Sequence, residues 1–259
     1  NKWIHTVLDQ RQFRQWARAD RPFPPPENIR HLIQAERIND YHKWLKAGKP
    51  LPPPHLVKQE MVKQYANTYQ TNVLIETGTF RGEMIDACAT LFKRIFSIEL
   101  SNELFQEASK RFAHQKHISI MQGDSGKIMP EILSKINEPC LFWLDGHYSG
   151  GFTAKGSKET PILQELAAIL KHPVEHHVVL IDDARCFNGE NDYPTINELK
   201  NMILSRHPDW FFEIADDAKY SYGVTRGTTM TTIKLRIADD LAKAAEEEGL
   251  LQPEVLAEI

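Results

Sequence analysis

The stretch Val73-Leu74-Ile75-Glu76-Thr77-Gly78-Thr79-Phe80-Arg81-Gly82 is the part of the chain that decides its fold. It begins as a continuous apolar run, reaches an acid and turns through two glycines, which is typical of a parallel strand buried on both faces. The residues from Met84 to Phe92 then carry apolar side chains at helical spacing. A strand, glycine loop and helix aim backbone N–H groups at one point near the carboxyl end of the sheet. Such a point suits a nucleotide-like ligand.

Beyond this unit, predicted strands and helices alternate, as in a parallel α/β sheet. The further predicted strands are 94–99, 117–121, 139–144, 177–181, 210–214 and 229–235. The predicted helices between them are 103–112, 128–135, 162–171 and 195–205. A turn containing Gly and Tyr joins the last two strands, which favours an antiparallel edge hairpin. The predicted fold class is α/β: a Rossmann-like, mostly parallel sheet of seven strands.

The residues before the sheet form a separate helical layer in this prediction. Trp3, Phe13 and Trp16 lie on a first helix, and a second helix over 27–47 is held between the proline triplets 24–26 and 52–54. Proline runs favour stiff, extended connectors. The layer could be a cap packed on the main domain or a mobile lid. The predicted domains are 1–70 (helical N-terminal layer), 71–236 (catalytic domain) and 237–259 (C-terminal helix or linker).

Charge and cysteine content narrow the partners and the compartment. The 31 basic and 35 acidic residues give a net charge of −4, which favours small polar partners over nucleic acid or a membrane surface. Cys88, Cys140 and Cys186 are odd in number and far apart, so we expect a reducing, cytoplasmic setting. The first residue is Asn1 rather than Met, so we expect an excised part of a longer protein, with fusion to other domains left open. The sequence leaves a homo-oligomer open.

Acidic or small polar residues follow five successive strands. They are Glu76, Glu99, Asp124 (with Ser125), Asp145 and the pair Asp182 and Asp183. In a doubly wound sheet these strand ends face one crevice. Each alone is as well explained by a helix cap or a turn, and the recurrence is what indicates a site.

Glu99 lies ~20 residues beyond the glycine turn, where the ribose-binding acid of an NAD-binding fold belongs. However, Gly78 and Gly82 do not have the spacing of the dinucleotide fingerprint, and Glu76 precedes them. In these residues the chain resembles the class I S-adenosylmethionine-dependent methyltransferases. Their first motif is an acid followed by a glycine-rich turn, and their second strand ends on an acid.

The resemblance implies how S-adenosylmethionine would bind. Glu99 would hold the ribose hydroxyls, and Asp124 and Ser125 would contact the adenine. The loop from Gly78 through Thr79 to Gly82 would pass beside the methionine part of the cofactor. Glu76 would act on the methionine ammonium group, directly or through water.

Asp145, Asp182 and Asp183 converge from the ends of two neighbouring strands. Three carboxylates would repel one another and take up protons unless a cation lies among them. A hard divalent ion such as Mg²⁺ suits oxygen ligands. Adjacent strand residues point to opposite faces, so Asp182 and Asp183 can both reach an ion only if the strand ends there. The alternative is one ligand, one structural acid and one cap.

The phrases Ile75 to Gly82, Leu144 to His147 and Ile181 to Asp183 most resemble the metal-dependent sugar O-methyltransferases of the macrocin and aminocoumarin type. This resemblance spans about residues 73 to 235. It implies a divalent ion, held by the three aspartates, that chelates two neighbouring hydroxyls of the acceptor.

The chain departs from that family at His147, where the family has a second aspartate, its general base. His147 could be the base, a metal ligand or an acceptor contact, and Asp145 with His147 is the expected catalytic pair. The loops 148–159 and 184–193 should form the acceptor wall. His172, His176 and His177, at the opposite end of the sheet, are expected at the surface. Polar side chains that suit a sugar in the second loop are Arg185, Asn188, Asp192 and Tyr193.

The expected function is S-adenosylmethionine-dependent, Mg²⁺-assisted O-methylation of a sugar or another polyhydroxylated small molecule. Two alternatives remain at this point. One is a non-catalytic cofactor-binding or scaffold domain of a larger protein. The other is a metal-independent methyltransferase that acts on a macromolecule.

Overall fold

The structure, a computed structural model, describes residues 2–19, 26–50, 52–146, 159–214 and 222–226. The chain divides into two compact units, of which the first runs to Glu60 and the second begins at Met61. No helix in these described ranges is long and apolar enough to cross a membrane.

The first unit is helical. It contains α1 (Lys2–Arg18), a 3-10 turn (Glu27–Ile29), α2 (Arg30–Lys46) and the start of α3 (His55–Tyr69). The helix predicted over 27–47 is confirmed as the 3-10 turn and α2, whereas α3 was not predicted. Two small apolar clusters stabilise the unit. One joins Trp16, Ile29 and Ile33, and the other joins Tyr41, Trp44, Leu56 and Val57.

The second unit is built on a sheet with the order β3-β2-β1-β4-β5-β7-β6. Its strands are β1 (Val73–Thr77), β2 (Arg94–Glu99), β3 (Ile118–Gln122), β4 (Cys140–Leu144), β5 (Val178–Ile181), β6 (Trp210–Ile214) and β7 (Tyr222–Arg226). The pairs among β1 to β5 are all parallel. The prediction of an α/β fold with a parallel sheet is confirmed.

Helices connect the parallel strands. They are α4 (Glu83–Cys88), α5 (Asn102–Phe112), α6 (Ser125–Leu133) and α7 (Ile162–Ile169), followed after β5 by α8 (Ile196–Arg206). Three of them begin at a residue whose side chain caps the helix. Ser101 caps α5, Asp124 caps α6, and Thr195 with Glu198 forms a capping box at α8.

The chain beyond β5 pairs differently from the first five strands. β7 lies antiparallel to β5, and β6 lies antiparallel to β7. Residues 222–226 were expected in the turn before the last strand, and the structure makes them the strand itself. The segment 229–235, which was predicted to be that strand, lies outside the described residues.

The core lies around the middle of the sheet, as the apolar runs predicted. Every residue of β1, β4 and β5 is buried. Phe142 and Trp143, neighbours on β4, point to opposite faces and are both fully buried. Because helices cover both faces, these strands read as continuous apolar sequence rather than as an alternation.

The prediction that three histidines lie at the surface is wrong for His177, which is only 1% exposed. It precedes β5, and its Nδ1 accepts a hydrogen bond from the Cys140 backbone N–H at 3.0 Å. Its Nε2 lies 2.9 Å from Nδ1 of the half-buried His172. The ring of His177 also packs edge-on against Phe142. The side chain therefore closes the amino-terminal end of the sheet between β4 and β5.

Candidate functional site

The strand register aligns the predicted site residues in one row. Ile98, Thr77, Leu144 and Ile181 are paired across β2, β1, β4 and β5. The residues that follow them are Glu99, Gly78, Asp145 and Asp182. Backbone hydrogen bonds continue past the strands, from Gly78 N to Ile98 O, from Asp145 N to Thr77 O and from Asp182 N to Leu144 O. The structure thus brings the strand-end acids to one edge of the sheet.

Both glycines of the turn after β1 are required by the backbone. Gly78 has a φ of +87°, and a Cβ on it would lie 2.7 Å from the carbonyl oxygen of Asp145. Gly82 has a φ of +71° and precedes α4, where a Cβ would lie 2.7 Å from the ring of Phe112. The first glycine lets the β1 turn lie directly against the turn after β4, and the second lets α5 pack against the start of α4.

Glu99 is fastened to the glycine turn through backbone amides. Its Oε2 accepts a hydrogen bond from the N–H of Phe80, and its Oε1 accepts one from the N–H of Ser101, each at 2.8 Å. Phe80 adopts a φ of +46°, uncommon for a non-glycine residue, and its ring is 43% exposed. Burial raises the pKa of Glu99, and these amide bonds oppose the rise. Each carboxylate oxygen has more than one acceptor site, so further bonds can form.

Glu76 is buried under the glycine turn, in a chain of hydroxyl groups. Ser97 Oγ donates to Glu76 Oε2 at 2.5 Å, and Thr79 Oγ1 lies 2.6 Å from Ser97 Oγ. Since Ser97 has one hydroxyl proton, Thr79 donates to Ser97. Burial raises the pKa of Glu76 to about 8, and the charges of the nearby Asp145 and Glu99 add to the rise. The hydrogen bond from Ser97 acts in the opposite direction and lowers the pKa. Ser97 was not predicted, because its role depends on a partner from another strand.

Asp124 and Ser125 form the start of α6, after β3. Asp124 Oδ1 accepts from Gly126 N at 3.0 Å, so the cap that the sequence allowed is present. Ser125 Oγ donates to Oε1 of Glu165 at 2.5 Å. Their contact with adenine stays a prediction.

Glu165, on α7, is a buried acid that was not predicted. It is 1% exposed, and burial raises its pKa to about 7, partly offset by the Ser125 hydrogen bond. The sequence did carry a signal for it. Glu165 shares the spacing of Ile162, Leu166 and Ile169, so it lies on the core-facing side of α7 among apolar residues.

Asp182 and Asp183 are both buried just past β5. Asp183 has a φ of +55° and begins a 3-10 turn (Ala184–Cys186), so the chain does leave the strand there. Arg185 Nη1 donates to Asp183 Oδ1 at 2.5 Å. Within the described ranges, no group of three or more His, Cys, Asp or Glu residues is arranged to hold a metal ion. His147 lies outside the described residues.

The second acceptor loop is organised by contacts within itself and with its surroundings. The backbone N–H of Glu159 donates to Asp192 Oδ2, and Asn188 bonds to Glu190. Tyr193 packs edge-on against Phe187. Burial raises the pKa of Tyr193, and the charges of Asp183 and Asp145 contribute to the rise. The Tyr193 hydroxyl therefore belongs to the same electrostatic environment as these two acids. The loop 148–158 lies outside the described residues.

Comparison with known proteins gives the fold and no closer relationship. No family model matches the chain, and no curated protein does. An O-methyltransferase from Bacillus cereus, solved with SAH (S-adenosylhomocysteine), is similar with a TM-score of 0.50 and 12% identity over 86% of this chain and 97% of that one. The O-methyltransferase TomG from Streptomyces achromogenes, involved in tomaymycin synthesis and solved with SAM (S-adenosylmethionine), has a TM-score of 0.49 and 15% identity over 76% and 90% of the two chains. At 12% identity the similarity to the Bacillus cereus protein shows the fold alone, a Rossmann-like sheet that the two chains share.

Proposed function

We propose that this chain is an S-adenosylmethionine-dependent O-methyltransferase. Its acceptor is a hydroxyl of a sugar or another polyhydroxylated small molecule. A divalent cation would assist the transfer, and the carboxylate ligands favour Mg²⁺. One observation carries the proposal. Glu99, Gly78, Asp145 and Asp182 follow paired residues of β2, β1, β4 and β5, so three carboxylates and a glycine without room for a side chain lie side by side at the carboxyl ends of the strands.

The cofactor half of the proposal rests on the glycine turn and the two acids beside it. Glu99 is held in place by the amides of Phe80 and Ser101, which suits a carboxylate that binds a diol. Glu76 is buried close to other acids, so a positively charged ligand would favour its ionised form. The ammonium and sulfonium groups of S-adenosylmethionine carry that charge.

The metal half rests on the chemistry of the donor set. Asp145 and Asp182 follow directly paired residues of β4 and β5, and carboxylate oxygens suit a hard cation. Asp183 pairs with Arg185 through Oδ1, so this ion pair would compete with a metal for the carboxylate. A bound ion would favour ionisation of the acceptor hydroxyl and orient it.

In the proposed reaction the acceptor oxygen forms a bond to the methyl carbon as the bond from that carbon to the sulfonium sulfur breaks. His147 takes the hydroxyl proton, since an imidazole titrates near neutral pH. The glycine turn and Glu99 hold the methyl donor in line, and Asp145 orients the acceptor.

Calorimetric titration of the protein with S-adenosylhomocysteine, with and without Mg²⁺, tests the proposal before the acceptor is known. We expect saturable binding of S-adenosylhomocysteine and a separate Mg²⁺ site that Asp182→Ala removes. Binding of S-adenosylhomocysteine with no Mg²⁺ site would favour a metal-independent enzyme or a scaffold domain. Absence of both would refute the proposal. Methyl transfer to small diols, with none to RNA or peptides, would then support the acceptor class.

A further inference from the structure

Glu165 is a buried acid that the proposed chemistry does not use. It lies in the first turns of α7, and its side chain reaches toward two of the strand-end turns. One is the turn after β3, where it accepts the hydrogen bond of Ser125 at 2.5 Å. The other is the turn after β4, where a Cβ on Gly146 would lie 3.3 Å from Oε1 of Glu165. The same carboxyl oxygen therefore bonds to the first turn and lies beside the second, in the space that a side chain at Gly146 would occupy.

The neighbouring residue on α7 repeats this arrangement. A Cβ on Gly126 would lie 2.5 Å from Oε1 of Gln164, so α7 packs against the backbone just after Ser125. Two adjacent α7 side chains thus meet two glycines, Gly126 on α6 and Gly146 after β4. A Cβ on Gly126 would also lie 2.8 Å from Cβ of Gln164, which leaves no room for it, and a Cβ on Gly146 would be tightly packed, so α7 lies close to both turns.

A carboxyl group on the apolar face of a helix lowers the stability of the fold. Burial of a polar group without a partner lowers stability, and an apolar side chain of the same size would fit between Ile162, Leu166 and Ile169 without that cost. The geometry supplies a reason for the carboxyl group. It is the acceptor that fixes the hydroxyl of Ser125.

We infer that Glu165 is a positioning residue that holds the Ser125 turn against the Asp145-Gly146 turn, and so sets the adenine side of the cofactor site relative to the reaction side. The inference rests on the proposed function, because it assigns Ser125 to the cofactor site. Glu165 would touch neither the cofactor nor the acceptor. It would act through Ser125 and the turn after β4.

The experiment measures the dissociation constant of S-adenosylhomocysteine by calorimetry for the full chain, for four single variants and for one double variant. Glu165→Met keeps the volume and removes the acceptor, and it should weaken binding about tenfold, the loss expected for one hydrogen bond that orders a binding group. Glu165→Gln keeps an acceptor oxygen and should stay within about threefold of the unmodified protein. Glu131→Met, on the exposed side of α6, is the matched control and should bind normally.

The fourth variant, Ser125→Ala, separates positioning from a general loss of structure. If Glu165 acts through Ser125, the effects of Glu165→Met and Ser125→Ala on affinity are not additive, and the double variant binds as the weaker single variant does. Additive losses would overturn the inference, as would unchanged affinity in Glu165→Met.

Should Glu165→Met fail to fold, Glu165→Asp replaces it, because this change keeps the acid and moves it away from Ser125 by one methylene. Affinity equal to that of the unmodified protein would again overturn the inference. Failure of the unmodified protein to bind S-adenosylhomocysteine would instead refute the proposed function, so the two failures are distinguishable.

Discussion

The buried histidine at the amino-terminal end of the sheet gives a pH dependence that can be worked out in detail. A backbone N–H can only donate, so Nδ1 of His177 is an acceptor and carries no proton. In the neutral ring the proton is then on Nε2 and is donated to Nδ1 of His172. His172 in turn donates from Nε2 to the carbonyl oxygen of Leu133. The chain of bonds therefore has one direction and requires His177 to be neutral.

Protonation of His177 would place a hydrogen on Nδ1, directly against the N–H of Cys140. Burial lowers the pKa of His177 from 6.5 to about 4, and the neighbouring His172, His176 and His207 lower it further by charge repulsion. A lowered histidine pKa means that the unfolded chain binds more protons. Stability from this group is complete above pH 6.5 and is lost as the pH falls toward 4. The loss amounts to about 2 kcal/mol at pH 5 and about 3 kcal/mol at pH 4.

Urea unfolding of the unmodified protein and of His177→Gln, at pH 8 and pH 5, measures this loss. We expect the free energy of unfolding to fall by about 2 kcal/mol more in the unmodified protein than in the variant. The difference between the two proteins is the quantity to compare, because the raised pKa values of Glu76 and Glu165 act in the opposite direction in both. Exposed His114→Gln serves as the control and should keep the unmodified pH response. Equal pH responses of the unmodified protein and His177→Gln would refute the reasoning, as would an NMR assignment of the proton to Nδ1.

Three further predictions concern the site. Gly78→Ala should destabilise the protein by more than the ~1–2 kcal/mol of left-handed strain, and should weaken S-adenosylhomocysteine binding, because its Cβ meets backbone at 2.7 Å. Gly48 has a φ of +79° and open space around it, so in a thermal melt Gly48→Ala should lose only the stability that backbone strain costs. Equal losses of stability in Gly48→Ala and Gly78→Ala would contradict the clash at Gly78. Arg185→Gln should tighten Mg²⁺ binding about tenfold by releasing Asp183, and calorimetry that finds equal or weaker Mg²⁺ binding would count against Asp183 as a ligand. Asp182→Asn should abolish the increase in turnover that added Mg²⁺ gives, yet leave the affinity for S-adenosylhomocysteine within about threefold. If the variant still responded to Mg²⁺ as the unmodified protein does, Asp182 would be excluded as a ligand.

The parallel part of the fold was predictable because its strands are buried on both faces. Such strands are continuous apolar runs that end at a turn, and β1, β4 and β5 could be located to within a residue or two. The helix α3 was missed although Val57, Met61 and Tyr65 have helical spacing, because the proline triplet before it was taken to mark a connector. The strand β7, which lies between β5 and β6, was misplaced, because its residues Tyr222 and Gly223 are equally typical of a turn.

The acids of the site were predictable for a related reason. In a parallel sheet the carboxyl ends of neighbouring strands lie side by side, so Glu99, Asp145 and Asp182 could be grouped from the sequence without knowing any contact, together with Glu76 near the end of β1. Ser97 and Glu165 could not be grouped in this way, because a hydroxyl inside a strand and an acid inside a helix show their role only through a partner. For Glu165 the apolar spacing of α7 indicated burial, although not the turn that it would reach.

The buried carboxyl groups carry the strongest physical argument about this crevice. Glu76, Glu99 and Glu165 all have raised pKa values, and in each case burial is the main cause. Such acids lower the stability of the protein at neutral pH, because they ionise freely in the unfolded chain and burial opposes their ionisation in the folded protein. Apolar residues would make a more stable sheet edge, so stability alone does not account for them. A ligand that brings positive charge to Glu76, and hydroxyl groups to Glu99, would recover part of that cost on binding. This is the electrostatic reason to favour a sulfonium nucleoside over a neutral or anionic ligand in the crevice.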